Sequence, residues 1–494
     1  MDLKYISTRG SKEEYTASMA VIRGLAEDGG LFVPNVIPKL DVPISALVGK
    51  GYKETAYEVL KLYFSDYTEA ELKECIEKAY DSKFDTDVCA PLVKHGDQYF
   101  LELFHGPTIA FKDMALSILP HLLTCALKKN DIHEKVVIMT ATSGDTGKAA
   151  LCAFADVPGT SIIVFYPKGG VSRIQERQML TQKGANTKVV GVRGNFDDCQ
   201  TGVKKMFNDA TLADELAGSG YRFSSANSIN IGRLFPQVAY YVYAYVKMVE
   251  SGQIKDGDTI NFTVPTGNFG NILAGFFAKQ MGVPIGKLVC ASNENKVLYD
   301  FFRTGTYDRM RDFILTTSPS MDILISSNLE RLIYLSLGCD AKKNAGLMKD
   351  LTDKGSYSVD DSSRSYMSDF VGIFANESEV ADTIKDVYNT CGYVIDTHTA
   401  VAAYADKEYK KTDSTKSVII STASPYKFAG SVLAAIDPAL VSDDDFEMAD
   451  KLSEISHVAI PNAISSIKDA KILHDTVCTV EDMKSTVKDW LGLA

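Results

Sequence analysis

Residues 136–155, VVIMTATSGDTGKAALCAFA, decide the fold class of this chain. The apolar run from Val136 to Met139 predicts a strand, the Gly-rich residues predict a turn, and the residues from Lys148 to Ala155 predict a helix. A continuous apolar strand, unlike an alternating one, is typical of a parallel sheet that helices cover on both faces.

The same pattern recurs along most of the chain. A helix is predicted over 110–129, and further apolar strands are predicted over 99–104, 161–166, 188–192, 260–264 and 417–420. The sequence therefore predicts an α/β fold with open, mostly parallel sheets that carry helices on both faces. Ligands bind such sheets at the carboxyl ends of the strands, which directs attention to the loops there.

The first 95 residues differ from this pattern and are predicted to be mainly helical. Thr68-Glu69-Ala70-Glu71 is a capping box, in which Thr68 and Glu71 each satisfy a free backbone amide. Leu72, Ile76 and Tyr80 follow at helical spacing. This segment has no grouping of catalytic side chains, so we expect a packing domain.

Composition narrows the class of protein. The 494 residues are 45% hydrophobic and 23% charged with a net charge of −12, which is globular composition and argues against a nucleic-acid partner. The nine cysteines form no CxxC pair, no side chains stand at metal-ligand spacing, and no apolar run reaches membrane-spanning length. We expect a cytoplasmic protein with reduced thiols, no metal and no membrane partner.

The first candidate loop, at residues 105–114, carries Lys112. Lys112 is predicted in the first turn of an otherwise apolar helix, where the helix dipole disfavours a cation. A position that disfavours charge lowers the pKa of an amine, and Schiff-base chemistry needs the neutral amine. On spacing alone, a lysine whose stem packs and whose head reaches solvent is the favoured alternative.

Two Gly-rich loops follow strands and open helices. Residues Thr142, Ser143, Gly144, Asp145 and Thr146 offer backbone amides and hydroxyls to a carboxylate or phosphate. The loop is no Walker A motif, because Thr142 stands where that motif needs Gly and Ala149 stands where it needs Ser or Thr.

The third loop consists of residues Gly267, Asn268, Phe269, Gly270 and Asn271, where two glycines three apart allow a phosphate close to the backbone. Packing turns with no ligand remain the alternative for both Gly-rich loops. A fourth loop, at 421–428, ends an apolar strand and places the Thr422 hydroxyl where it could contact the ring nitrogen of a ligand.

The order of these loops resembles that of the tryptophan-synthase-like, fold type II enzymes that use pyridoxal 5'-phosphate (PLP). In detail, nearly the whole chain resembles the threonine synthase family, including its longer fungal and bacterial members. Segments that carry this resemblance are 23–32, 105–112, 227–233, 318–323, 326–331 and 396–400. The resemblance implies two sheet domains, one at 96–130 and 234–494 and a smaller one at 131–233, after an N-terminal domain at 1–95.

The resemblance also implies a role for each loop. Lys112 matches the catalytic lysine that bonds to PLP, residues Gly267 to Asn271 match the loop around the cofactor phosphate, and Thr422 matches the residue at the pyridine nitrogen. Residues Thr142 to Thr146 match the loop that takes the substrate carboxylate. The positions that bind the substrate phosphate match Asn227, Ser228 and Arg233.

The implied activity is that of a carbon–oxygen lyase acting on a phosphate ester, which converts O-phospho-L-homoserine and water to L-threonine and phosphate. Asp145 stands where many relatives have Asn, so its role is open, and Lys296, Ser320 and Asp322 have no assigned role. His398 is expected near the site, ordering a loop.

Two alternatives remain at this point. One is a related PLP lyase, such as a serine/threonine dehydratase or an amino-acid phospho-lyase, and the other is a non-catalytic ligand-binding protein. The sequence leaves the oligomeric state open between a monomer and a homodimer.

Overall fold

A computed structural model of the chain describes residues 3–142 and 144–493. The strands, in chain order, are β1 (Tyr5–Ser7), β2 (Phe32–Pro34), β3 (Leu92–His95), β4 (Gln98–Glu102), β5 (Lys135–Ala141), β6 (Thr160–Pro167), β7 (Thr187–Val192), β8 (Tyr221–Ser224), β9 (Ile260–Pro265), β10 (Ile285–Ser292), β11 (Thr306–Asp308), β12 (Ser356–Ser358), β13 (Phe370–Phe374), β14 (Ser417–Ser421) and β15 (Val477–Cys478).

The helices, in chain order, are α1 (Ala17–Arg23), α2 (Tyr52–Tyr63), α3 (Glu69–Ala79), α4 (Asp113–Leu116), α5 (Leu119–Lys129), α6 (Asp145–Phe154), α7 (Arg173–Leu180), α8 (Phe196–Phe207), α9 (Ala210–Gly218), α10 (Ile231–Leu234), α11 (Pro236–Glu250), α12 (Gly270–Gln280), α13 (Val297–Thr304), α14 (Leu329–Ser336), α15 (Ala341–Asp353), α16 (Asp361–Tyr366), α17 (Glu377–Cys391), α18 (Thr397–Tyr409), α19 (Ala429–Ile436), α20 (Asp445–Ser456), α21 (Asn462–Ser465) and α22 (Met483–Leu491).

The larger sheet has six strands in the order β13-β10-β9-β14-β4-β3. All neighbours are parallel except β3 and β4, and the central strands β9 and β14 are buried along their whole length. Burial on both faces explains why these strands are continuously apolar in the sequence.

The smaller sheet has five parallel strands in the order β15-β7-β6-β5-β8. The two sheets with their helices confirm the predicted α/β fold class. The predicted domain boundaries differ from the structure at the C-terminal end, because β15 pairs with β7 and α22 packs against α8. The chain therefore returns to the smaller sheet after residue 476, while the other boundaries stay a prediction.

The N-terminal segment shares a hydrophobic core with the larger sheet. The Thr68 capping box begins α3 as predicted, with the Thr68 hydroxyl accepting from the Glu71 amide and the Glu71 carboxylate accepting from the Thr68 amide. Helix α2 packs along α11, where Tyr63 stacks on Phe235 with ring centroids 4.0 Å apart. This segment buttresses the helices that carry the site.

One long helix predicted over 110–129 is wrong, because the structure has the short α4 and then α5. Pro120 lies in the first turn of α5. Proline has no amide hydrogen and its ring crowds the preceding turn, so it favours a new helix start over a continuous helix. The break separates the four residues after Lys112 from the rest of the segment.

Candidate active site

Four loops meet at the carboxyl ends of strands β4, β5, β9 and β14. Strand β14 lies between β4 and β9 in the larger sheet, and α6, which follows β5, packs against α4. The loop after β4 is fixed to the end of β14 by the Phe111 amide, which donates to the Thr422 carbonyl (2.8 Å), and by the Ser424 amide, which donates to the Ile109 carbonyl (3.0 Å). The structure thus places the chain next to Lys112 beside Thr422, while the roles of these two residues stay a prediction.

Lys112 lies immediately before α4 and is half-buried. Its Nζ is 3.2 Å from the Ser320 hydroxyl and 5.5 Å from the centre of the Phe111 ring. Asp113, which is fully buried, accepts hydrogen bonds from the Thr108 amide (2.7 Å) and hydroxyl (2.6 Å), and burial raises the pKa of its carboxyl. These bonds fix the loop that presents the lysine.

The glycine loop packs tightly against two other segments. A Cβ on Gly267 would lie 2.8 Å from the Ser320 carbonyl oxygen, so a larger residue has no room there. The Ser326 hydroxyl donates to the Gly267 carbonyl (2.7 Å), and the Asn328 amide and side chain both donate to the Asn268 carbonyl (3.1 and 3.0 Å). These hydrogen bonds hold the loop in place at the start of α12.

Two residues of this loop have features that suit an anion. Phe269 has φ of 65°, a left-handed conformation uncommon for a large residue, and it directly precedes α12. The Oδ1 of Asn271 lies 2.6 and 2.7 Å from the hydroxyls of Tyr240 and Tyr241. Its buried Nδ2 has no hydrogen-bond partner in the described part of the chain. A free donor in the first turn of a helix fits a phosphate oxygen.

Arg233 is a buried cation on α10, a short helix that packs against both α4 and α12. It is 4% exposed, its Nη1 donates to the Ala226 carbonyl (2.9 Å), and its Nε has no partner among residues 3–142 and 144–493. Burial lowers its pKa to about 10, so it remains charged at neutral pH. Two other residues are predicted to bind the substrate phosphate. Ser228 is half-buried, and its hydroxyl lies 3.5 Å from Nδ2 of Asn328, whereas Asn227 is exposed.

The loop after β5 is stabilised from within by Thr142. The buried Thr142 hydroxyl accepts hydrogen bonds from the amides of Gly144 (3.0 Å) and Gly147 (2.9 Å). Thr146 is half-buried, whereas Ser143 and the side chain of Asp145 lie outside the described residues. The side-chain oxygen of Thr142 therefore stabilises the conformation of the loop. That residues Thr142 to Thr146 bind the substrate carboxylate stays a prediction.

Sequence reasoning placed His398 near the site, where it orders a loop, but gave no role to Asp396. The Nδ1 of His398 is 2.8 Å from an Asp396 oxygen, and its Nε2 accepts from the Ser320 amide (3.1 Å). Asp396 also caps α18, a signal that is visible in the sequence as Asp before a helical run. The hydrogen bond between His398 and Ser320, which are 78 residues apart, has no such signal in the sequence.

The site fits a cofactor that brings a phosphate and an aldehyde. The glycine turn excludes a Cβ, Asn271 offers a buried free donor at a helix start, and the Lys112 amine lies in a loop bonded to the end of β14. In the described ranges, no group of side chains is suited to hold a metal ion and no helix is long and apolar enough to cross a membrane.

Comparison with known families agrees with this fit. Residues 94–422 match the family described as "Pyridoxal-phosphate dependent enzyme", and the chain belongs to that class with PLP as its cofactor, as predicted. Residues 4–80 match the family described as "Threonine synthase N terminus".

Individual relatives support a narrower family. Threonine synthase of Saccharomyces cerevisiae is 38% identical over 87% of this chain and 89% of its own length. A crystal structure of PLP-bound threonine synthase from Brucella melitensis has a TM-score of 0.85 at 36% identity, covering 99% of this chain and 98% of that one. The chain belongs to the threonine synthase family.

A human protein named Threonine synthase-like 1 is 43% identical over 85% of this chain. The chain spans 58% of the length of that relative.

Proposed function

We propose that this chain is an enzyme that converts O-phospho-L-homoserine and water to L-threonine and phosphate. The observation that carries the proposal is the buried, incompletely paired guanidinium of Arg233 on α10, which packs against the helix that follows Lys112. A buried charge without a counter-charge is costly, so the position is suited to an anionic ligand.

A second anion site distinguishes this proposal from a serine/threonine dehydratase. The glycine loop at 267–271 is suited to the cofactor phosphate, and Arg233 with Ser228 and Asn227 offers a separate place for a phosphate of the substrate. Guanidinium groups bind phosphate with strong, charge-assisted hydrogen bonds. Serine and threonine, the substrates of a dehydratase, have no phosphate that would use this site.

The chemistry requires a base that reaches neighbouring carbons in turn. Bound PLP supplies an electron sink for carbanions formed next to the substrate nitrogen. The Lys112 amine, on its flexible stem, takes the α-proton and then a β-proton and returns a proton to the γ-carbon. The bond between the γ-carbon and the phosphate oxygen breaks with its electron pair on phosphate, and Arg233 stabilises that charge. Water then adds its hydroxyl at the β-carbon, and the α-carbon regains a proton, which replaces the one that Lys112 removed.

Thr422 and the loop after β5 orient the reactants. Thr422 is 5% exposed and neutral, so at the pyridine nitrogen it would not enforce a full positive charge as a carboxylate would. A moderated electron sink suits elimination. The amides and hydroxyls of Thr142 to Thr146, at the start of α6, would bind the substrate carboxylate.

The proposal includes where the chain works and what it binds. It acts in the cytoplasm on a small-molecule substrate, as a monomer or homodimer, without nucleic acid or membrane partners. Support comes from the net charge of −12, which disfavours nucleic acid, and from the dispersed cysteines.

An assay of products tests the proposal. Purified protein with PLP is supplied with O-phospho-L-homoserine, and phosphate and threonine are measured together. We expect equal amounts of the two. Formation of 2-oxobutyrate, or turnover of L-serine or L-threonine instead, would support the related lyases, and absence of any turnover would support a ligand-binding protein.

A further inference from the structure

Lys112 meets a hydroxyl that lies 208 residues further along the chain. Its Nζ is 3.2 Å from the Oγ of Ser320, in the short turn Pro319–Met321 that packs against Gly267. A hydroxyl donates and accepts hydrogen bonds, so it can bind the amine both when it is protonated and when it is neutral. A carboxylate in the same place would instead hold the lysine in its charged form.

The turn with Ser320 is fixed by a buried histidine. The Ser320 amide donates to Nε2 of His398 (3.1 Å), and Nδ1 of that ring lies 2.8 Å from Asp396 Oδ2. Because Nε2 accepts, the ring proton is on Nδ1 and is donated to the carboxylate, which makes the imidazole neutral. His398 and Asp396 are 3% and 0% exposed, so water does not compete for these bonds.

Asp396 is itself anchored, so the arrangement has a rigid base. Its two oxygens accept from the amides of His398 and Thr399 (both 2.9 Å) at the start of α18. The hydroxyl of Thr397 donates to the Thr317 carbonyl (2.8 Å), which gives the same turn a second attachment to this helix. The helix start thereby holds the residues on both sides of Pro319.

We propose that Ser320 is a positioning residue that orients the Lys112 amine, and that the Asp396–His398 pair holds Ser320 in place. The inference rests on the proposed function of Lys112 and adds a residue through which that amine is controlled. It predicts that the hydroxyl matters for how fast the amine bonds to the cofactor aldehyde and for how fast protons move. It does not predict a change in how tightly the substrate binds.

The test compares four variants of the full chain with the wild type. Cofactor-free protein is mixed with PLP, and the rise of absorbance of the lysine-bound cofactor is followed. For Ser320→Ala we expect a rate about three- to tenfold lower, the range for losing one hydrogen bond, with full final occupancy. Ser320→Thr keeps the hydroxyl and should retain most of the wild-type rate. With O-phospho-L-homoserine, Ser320→Ala should lower kcat and leave KM unchanged.

Ser336→Ala is the matched control, because the Ser336 hydroxyl is also buried but donates to the Ile333 carbonyl within α14 (2.8 Å). It should bond PLP at the wild-type rate. His398→Leu, with Ser320 intact, should slow the reaction as Ser320→Ala does. If Ser320→Ala does not fold, Ser320→Cys replaces it, since a thiol fills the site with a weaker hydrogen-bonding group.

Two results would overturn the inference: a wild-type rate for Ser320→Ala, or a Ser320→Thr variant as slow as Ser320→Ala. A wild-type rate for His398→Leu would remove the Asp396–His398 pair from it. Bonding of PLP needs no substrate, so this comparison can be made even if the wild type produces no threonine. A wild type that bonds PLP but produces no threonine would contradict the proposed function and leave the role of Ser320 standing.

Discussion

Arg331 binds the turn that precedes Arg233, and the two buried guanidinium groups differ in how completely they are paired. Arg331 donates to the carbonyls of Ile229 (2.5 Å) and Phe32 (2.8 Å) and to the side-chain oxygen of Asn328. Arg233 has the Ala226 carbonyl, and its Nε has no partner among the described residues. Burial lowers the pKa of Arg331 to about 9 and that of Arg233 to about 10, which leaves both charged at neutral pH. Arg331 therefore acts within the fold, whereas Arg233 is suited to a ligand.

Replacing each arginine by methionine separates these roles. Arg233→Met should raise KM for O-phospho-L-homoserine by about a hundredfold, the approximate cost of losing charged hydrogen bonds, and change the free energy of unfolding by less than about 1 kcal/mol. Arg331→Met leaves three buried acceptors without their donor and should cost about 3 kcal/mol or more of stability. Steady-state kinetics and urea unfolding measure the two effects, and equal destabilisation by both variants would show that Arg233 is structural.

The fit of the glycine loop predicts a steric effect at Gly267. In Gly267→Ala the new methyl group meets the Ser320 carbonyl at 2.8 Å, and a backbone oxygen cannot move aside without shifting the loop. We expect the affinity for PLP to fall at least tenfold and the free energy of unfolding to fall by about 1–3 kcal/mol. Fluorescence titration with PLP and urea unfolding are the measurements.

Gly346→Ala is the control for Gly267→Ala. Gly346 lies in α15 with open space around the position of a Cβ, so alanine should leave PLP affinity unchanged and raise helix stability by up to about 1 kcal/mol. Unchanged PLP affinity in both variants would contradict the proposed role of the glycine loop.

His105, at the start of the lysine loop, predicts a pH dependence of stability. Burial alone would lower its pKa, but hydrogen bonds with Asp85 (2.6 Å) and Glu102 (2.9 Å) outweigh this effect and raise the pKa from 6.5 to about 9. Because the folded-state pKa is raised, the stabilisation is complete below about pH 6.5 and is lost as the pH rises through about 9.

The variant His105→Gln measures this contribution. It should be less stable than the wild type by about 1–2 kcal/mol at pH 6, an amount reduced by the exposure of Asp85, and the difference should shrink above pH 9. Urea unfolding of both proteins across this pH range is the measurement. A difference that is constant with pH would mean that the ion pairs contribute nothing beyond packing.

Local sequence pattern predicted much of the fold. The strands over 136–139, 161–166 and 260–264 lie within the observed β5, β6 and β9, because a strand buried on both faces must be apolar throughout. The helix break before Pro120 was not predicted, since apolar periodicity continues across it. The return of β15 to the smaller sheet was not predicted either, because a two-residue strand carries no periodic signal.

For the candidate site, sequence identified residue types but not their contacts. The glycines and Lys112 stand out because they occupy positions where a strand ends and a helix begins. The hydrogen bonds of Ser320 with Lys112 and His398 join residues 208 and 78 positions apart, and only the folded chain brings these together. The same is true of Tyr240 and Tyr241, which orient Asn271 and are simply part of a buried helix in the sequence.

Lys112 is the amine that we expect to bond to the cofactor, and two other lysines nearby make a test of this role specific. Lys148 interacts electrostatically with Asp113, the residue that follows Lys112. Burial lowers the pKa of Lys148, which favours a neutral and reactive amine. Lys427 is buried and donates to the Thr108 carbonyl in the lysine loop (3.1 Å).

The most direct measurement is therefore borohydride reduction of the protein with PLP, followed by digestion and mass spectrometry of the peptides. We expect one reduced cofactor per chain, on Lys112, and none in Lys112→Ala. A cofactor found on Lys148 or Lys427 of the wild type, or no covalently bound cofactor at all, would contradict it.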